Sequence, residues 1–231
     1  MCRMLGLVAA RPTSARDLLH DAPRSLRELS YEHADGWGAA FRLRDGWHVE
    51  RRTSCAARCT DYERLASIEA RLVVAHIRKK TVGETSLSNT HPFRRGDFVF
   101  AHNGTVATEA LVTRTSPAQA ASIEGQTDSE RLFAFVLTHI DEAGDVERGV
   151  LRAVQALHAF GEIGSASFLL SCGGRLYANR LGRSLFTSTR GDAAIVASER
   201  LDDGDWHEVA ERSIVILDVP RRPSVHHPLA A

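Results

Sequence analysis

The stretch Leu72–Gly104, LVVAHIRKKTVGETSLSNTHPFRRGDFVFAHNG, is the part of the sequence from which the fold is read. It holds two apolar runs, Leu72–Ile77 (LVVAHI) and Phe98–His102 (FVFAH), each of the length and β-branched or aromatic content of a buried strand. Between them, Arg78–Asp97 is polar, rich in Thr, Ser, Gly and Asn, and free of low-complexity repeats. A connection of that length inside a compact domain usually carries function. Each strand also runs into groups that can do chemistry: Arg78 after the first, Asn103-Gly104 after the second.

Working outward, Met4–Ala10 reads as another buried strand, starting almost at residue 1. Ser14–Arg27 reads as a helix capped by Ser14, with Leu18, Leu19 and Leu26 on its inner face. Trp37–Leu43 and Trp47–Arg52 flank Asp45-Gly46, a β-hairpin signal. Thr60–Ala70 reads as a short helix. Thr127–Ile140 and Val146–Phe160 read as helices, the first with Leu132, Phe133, Val136 and Leu137 on its apolar face. Ser167–Ser171, Arg175–Asn179, Leu185–Thr189, Ala193–Ala197 and Ser213–Asp218 read as strands separated by turns. Strands, a helix pair, then more strands predict an α+β fold with helices packed on mainly antiparallel sheets.

The chain has 231 residues, enough for one large domain, and no Pro/Gly/Ser-rich linker divides it. A single domain over residues 2–231 is expected. Lys plus Arg and Asp plus Glu both number 29, so nothing favours a nucleic-acid or polybasic membrane partner. No apolar run approaches the ~20 residues that span a bilayer. The Leu5–Ala10 stretch is short and is interrupted by Arg11-Pro12, unlike a secretory signal, so a cytoplasmic protein is expected. Cys2, Cys55, Cys59 and Cys172 form no disulfide framework. The Cys55–Cys59 pair lacks the second ligand pair of a zinc site, so neither metal nor cofactor is expected.

Cys2 is the first chemical candidate. If the initiator Met is removed, one residue carries both a thiol and a free α-amino group. That amine has a pKa near ~7.7–8.0, so part of it is neutral and can serve as a base for its own thiol. Asn103 offers a side-chain amide donor and Gly104 a backbone N–H that can be approached closely, the parts of an oxyanion hole. Taken alone, the same pair reads as a strand-ending Asn-Gly turn. Arg78 can clamp a carboxylate. Asp128 can take an ammonium, although Thr127 or Asp128 also fits a plain helix cap. His33-Ala34-Asp35-Gly36-Trp37-Gly38 reads as site architecture, with His33 structural. A carboxylate clamp, an ammonium site, a thiol and an oxyanion hole together suit an α-amino acid with a side-chain amide: glutamine or a γ-glutamyl amide.

These residues resemble class II glutamine amidotransferases of the N-terminal-nucleophile hydrolase superfamily. The resemblance is carried by Met1-Cys2-Arg3, DGWG at 35–38, AHIR at 75–78 with Thr81 and Gly83, NTHPF at 89–93, AHNG at 101–104 and TDSE at 127–130. It is closest to stand-alone bacterial members such as the γ-glutamyl hydrolase of ergothioneine biosynthesis. The resemblance implies a four-layer αββα sandwich of two mainly antiparallel sheets. It also implies Cys2 as nucleophile, Asn103 and Gly104 as oxyanion hole, and Arg78 and Asp128 as substrate binders. Thr81 and His91 are implied as pocket walls, and Ala197-Ser198-Glu199 as a strand end facing the site. Lys79 stands where synthase-fused members often carry an aromatic residue. Two enzyme readings remain: a glutaminase subunit feeding a separate ammonia-accepting synthase, or a stand-alone hydrolase of a γ-glutamyl compound. A non-catalytic amino-acid sensor on the same fold is the alternative of another class.

Overall fold

A computed structural model describes residues 2–218 and 224–226. Its strands are β1 (Arg3–Ser14), β2 (Trp37–Leu43), β3 (Gly46–Arg52), β4 (Glu69–Ile77), β5 (Phe93–Arg95), β6 (Phe98–Val106), β7 (Gly164–Cys172), β8 (Arg175–Arg180), β9 (Phe186–Arg190), β10 (Ala193–Ala197), β11 (His207–Glu208), β12 (Ser213–Leu217) and β13 (Ser224–His226). Its helices are α1 (Leu26–Leu29), α2 (Thr60–Ala66), α3 (Glu109–Val112), α4 (Pro117–Ala121), α5 (Asp128–Ala143) and α6 (Val146–Ala159). One sheet runs β11-β9-β10-β1-β4-β2-β3 and the other β13-β12-β8-β7-β6-β5. Every pairing described is antiparallel.

The two-residue side-chain period of strands builds the layers. On β1, Leu5, Leu7 and Ala9 pack outward against Leu18, Leu19, Leu26, Tyr62 and Leu65. Met4 and Val8 point the other way, into a core shared with Leu169, Leu176 and Val215 of the second sheet. Gly6 lies between them, where a Cβ would collide with Leu176. On its outer face the second sheet buries Phe100, Phe168 and Tyr177 against Leu132, Phe133, Val136 and Val150 of α5 and α6. The result is the expected αββα sandwich. Its first helical layer is thin, made of short segments, and its second is built on the long helices α5 and α6.

The expected helix over Ser14–Arg27 is not formed as one piece. Ser14 ends β1, accepting from the Arg16 amide and donating to the Ala66 carbonyl. One turn of π-helix follows at Asp17–Asp21, and Ala22 is then extended, with ψ 151°. Pro23 accounts for the break, because the residue before a proline is pushed out of the helical region. Ser25 then caps α1, accepting from the Glu28 amide at 3.3 Å. The expected inner residues Leu18, Leu19 and Leu26 are nonetheless buried. The second correction bears on the site. The strand read as Phe98–His102 continues to Val106, so Asn103-Gly104 lies inside β6 and is not a strand-ending turn. The helix read over Thr60–Ala70 stops at Ala66, and Glu69 already opens β4. Among the described residues, no helix is long and apolar enough to cross a membrane.

Candidate active site

The candidate residues converge at one end of the sandwich. In the register of β1 with β4, Arg3 faces Ile77 and Met4 faces His76, which brings Cys2 beside Arg78. His76 bridges the gap, its Nε2 lying 3.2 Å from the His102 carbonyl on β6. Asn103 is the next residue on β6. It follows Val99 and Ala101 on the face turned to the first sheet, while Cys2 follows Val8 and Met4 on the opposing face. Cys2 and Asn103 therefore look into the same end of the gap.

The Cys2 Sγ lies 3.4 Å from both the amide nitrogen and the carbonyl oxygen of Lys79. The start of β1 is fixed from its other side by β10: the Met4 amide donates to Ser198 Oγ at 3.1 Å, and the Ser198 amide donates to the Met4 carbonyl at 3.0 Å. Arg3 is ion-paired with Glu199. Burial pushes the Cys2 thiol above its ordinary value; the Lys79 amide, Arg78 and Arg3 pull it partly back.

Gly104 has φ +154°, and a Cβ there would collide with the Ser165 carbonyl on β7. Only glycine fits there. Asn103 is 4% exposed, and its Oδ1 has no partner among the described residues.

Arg78 is buried, and its Nη1 and Nη2 donate to the carbonyls of Glu84 and Val82 at 3.1 and 3.0 Å. Burial lowers the affinity of its guanidinium for the proton. An arginine starts so high that it stays a cation, and with five N–H groups it keeps donors for a carboxylate. The same bonds hold the polar connection after β4 in place. Asn89 ties that connection to the start of α5, accepting from the Gln126 amide at 2.8 Å and donating to the Glu84 carbonyl at 3.0 Å. This fixing role of Asn89 is not apparent from the sequence, where it reads only as part of the NTHPF motif.

At the start of α5, Thr127 is the cap, accepting from the Glu130 amide at 3.3 Å. Asp128 is free of that duty. Its Oδ2 accepts from the Val106 amide at 2.8 Å, holding a buried carboxylate at the end of β6. His91 is buried between His76 and Phe93, with ring centroids 4.3 and 4.4 Å away, and neither ring nitrogen has a partner among the described residues. Burial drives its pKa well below the ordinary value, and that of His76 to about 3, so both rings are neutral. Thr81 sits on the connection and is exposed. Met1 lies outside the described residues.

A family model described as class II glutamine amidotransferases matches residues 1–207. This chain belongs to that family. It is 32% identical to the γ-glutamyl-hercynylcysteine sulfoxide hydrolase of Mycobacterium tuberculosis, over 93% of this chain and 92% of the relative. Glutamine–fructose-6-phosphate aminotransferase of Salmonella typhimurium is 25% identical over 94% of this chain, but over only 37% of its own length. Among solved structures, the glutamine aminotransferase class-II domain protein of Silicibacter pomeroyi superposes with TM-score 0.71 at 20% identity, covering 98% of this chain and 99% of that one. The glutamine phosphoribosylpyrophosphate amidotransferase of Bacillus subtilis superposes with TM-score 0.74 at 16% identity, covering all of this chain and 50% of that one. These solved amidotransferases share the two-sheet sandwich, and the family match makes the chain one of the class II glutamine amidotransferase enzymes.

Proposed function

We propose that this amidotransferase domain is a hydrolase of γ-glutamyl amides, with Cys2 as its nucleophile once Met1 is removed. The observation that carries the reading is Cys2 Sγ held between the amide and carbonyl of Lys79, at the same end of the inter-sheet gap as Asn103-Gly104. The Cys2 α-amino group takes the thiol proton as sulfur attacks the γ-carbonyl carbon. The tetrahedral oxyanion is met by the Asn103 side-chain N–H and the Gly104 backbone N–H. As the C–N bond breaks, the α-amino group returns that proton to the leaving amine, and a γ-glutamyl thioester remains. Water, deprotonated by the same amine, cleaves the thioester and releases glutamate. Arg78 takes the substrate α-carboxylate and Asp128 its ammonium, with Thr81 and His91 forming the pocket wall.

The 32% identity to a γ-glutamyl-hercynylcysteine sulfoxide hydrolase, over 92% of that relative, supports a γ-glutamyl conjugate as the substrate. A single domain spanning residues 2–231 and a cytoplasmic setting belong to the same proposal. The four free thiols suit a reducing compartment. The test is intact-mass analysis after exposure to diazo-oxo-norleucine, a glutamine-like electrophile. The expected result is a chain lacking Met1 with one adduct, which is absent from Cys2→Ala. A labelled Cys2→Ala protein, or a chain retaining Met1, defeats the assignment. Turnover of glutamine with none of any γ-glutamyl conjugate would instead favour a glutaminase that supplies a separate synthase.

A further inference from the structure

We propose that Glu199 is a positioning residue for the nucleophile: it holds the Arg3 guanidinium on the Cys2 carbonyl and so fixes the direction of the Cys2 α-amino group; this rests on Cys2 being the nucleophile and its own base. β1 lies between β10 and β4 in the first sheet. Its register with β10 ends at Leu5 and Ala197. Just beyond, the Met4 amide and carbonyl are still met, by Ser198 Oγ and the Ser198 amide. Alternate residues of a strand present their carbonyls to the same side. The Cys2 carbonyl therefore faces this side too, where β10 has already ended. Arg3 Nη1 takes the place of a strand partner, donating to the Cys2 carbonyl at 3.0 Å.

An arginine has several rotatable bonds, and one arm of its fork stays on a given atom only when the rest of the fork is held. Here Nη2 of Arg3 is ion-paired with Glu199. Glu199 is held in turn. Its other carboxylate oxygen pairs with Arg24, and the Arg24 amide donates to the Leu201 carbonyl at 3.1 Å. Both oxygens of Glu199 are thus committed to guanidinium groups, and the side chains of Arg3 and Glu199 are each 17% exposed. A carboxylate engaged in this way, at the strand end Ala197-Ser198-Glu199, serves as a support for Arg3.

Once Met1 is removed, no upstream peptide holds Cys2. Its Cα then carries the thiol-bearing Cβ, the carbonyl carbon and the free amine. Sγ is held 3.4 Å from the amide nitrogen and carbonyl oxygen of Lys79. The carbonyl is held by Arg3. With these fixed, tetrahedral geometry fixes the amine, both relative to the sulfur and relative to the leaving group that receives its proton. Without Glu199, Arg3 is free to leave the carbonyl, the Cys2–Arg3 peptide can turn, and the amine loses its direction. Misplacement of a reacting group by about 1 Å can cost ~10²-fold in rate.

The experiment measures kcat and KM on whichever of glutamine and γ-glutamyl-alanine the wild type turns over faster. kcat is counted per Cys2 labelled to completion by diazo-oxo-norleucine, so that unfolded protein is excluded. Glu199→Ala is expected to lower kcat about 10–100-fold with KM within about threefold of the wild type. Glu199→Gln, which keeps an acceptor for Arg3, lowers it less. Arg3→Met lowers kcat as much as Glu199→Ala does, and the double variant is no worse than Arg3→Met alone, because the carboxylate acts through Arg3. Arg200→Gln removes a neighbouring exposed cation and leaves kcat unchanged. An unchanged kcat in Glu199→Ala overturns the proposal, as does a fall confined to kcat/KM through KM, or effects of Arg3→Met and Glu199→Ala that multiply in the double variant. If Glu199→Ala fails to fold, Glu199→Gln alone and combined with Arg3→Met makes the same comparison. A wild type that neither takes the label at Cys2 nor turns over substrate removes the nucleophile assignment. A labelled, active wild type with multiplying variants removes the role of Glu199 alone.

Discussion

On the face it turns to the other sheet, β4 reads Leu72, Val74 and then His76. Beside β4 in the same sheet, β1 runs back from Val8 through Gly6 and Met4 to Cys2, and on the opposing face β6 reads Val99, Ala101 and then Asn103. The same strands, with the same two-residue period, thus build two unlike halves of one gap. In the dry half, Met4, Val74, Leu169, Leu176 and Val196 interdigitate and are all but inaccessible. In the polar half, His76 Nδ1, both nitrogens of His91 and Asn103 Oδ1 are buried without partners among the described residues. The dry half supplies stability. The polar half costs stability and holds the groups a γ-glutamyl amide would need. The site is therefore a continuation of the core strands with the residue type changed, on a scaffold that the apolar half keeps rigid.

The sharpest way to break this contrast is to mutate one residue in each half. Asn103→Ala is expected to lower kcat by ~10²–10³-fold, as removal of an oxyanion donor does, with little effect on denaturant midpoint. Leu169→Ala is expected to cost ~2–5 kcal/mol of stability, with kcat/KM per folded molecule unchanged. Urea titration alongside kinetics reads both. If Asn103→Ala were mainly a stability defect, or Leu169→Ala mainly a catalytic one, the division of the gap would be wrong.

A smaller effect concerns acid. His76 and His33, with folded pKa values of about 3 and about 4, and His91, held well below its ordinary value, are neutral in the folded protein. Unfolding returns each to an ordinary value near ~6.5, so below that pH the unfolded chain binds more protons than the folded one. The stability associated with their neutrality is complete above pH ~6.5 and is lost as pH falls toward their folded values, at about 1.4 kcal/mol per pH unit for each histidine. His91→Phe keeps the ring volume between His76 and Phe93 and removes one of these protons. The slope of stability against pH between ~6 and ~4 should drop by that amount, as measured by urea midpoints across the range. An unchanged slope would mean that His91 is not a buried neutral group.

Much of this was legible in the sequence, because LVVAHI and FVFAH announce buried strands and the residues that follow them announce polar ends. The αββα order and the placing of Cys2 beside Arg78 follow from that pattern together with the family motifs. What was not legible has local physical causes. Pro23 splits the helix read from Leu18, Leu19 and Leu26, whose spacing alone suits a continuous one. Asn103-Gly104 has the composition of a turn, and only its pairing with Ser167 and Ala166 on β7 shows that it is strand. The hold on Cys2 is made by the backbone of Lys79, and any residue type supplies an N–H and a C=O. His33 belongs to no periodic element, so nothing marks it as buried.

The finest test concerns Cys2 itself, which lies where the polar half opens. Burial raises its thiol, and the Lys79 amide, Arg78 and Arg3 offset part of the rise, with the net direction upward. The reactive species is the thiolate, so alkylation by iodoacetamide follows the deprotonated fraction. Its rate at Cys2 should therefore still be climbing above pH ~8.5, where an ordinary thiol is half titrated. Subtracting the Cys2→Ala background removes Cys55, Cys59 and Cys172. Arg78→Met takes away one of the cations that favour the thiolate, so its profile should lie at still higher pH than the wild type. A rate that levels off near pH ~7 in the wild type would place Cys2 among strongly activated thiols. Burial at the mouth of the gap would then be outweighed by the charges around it.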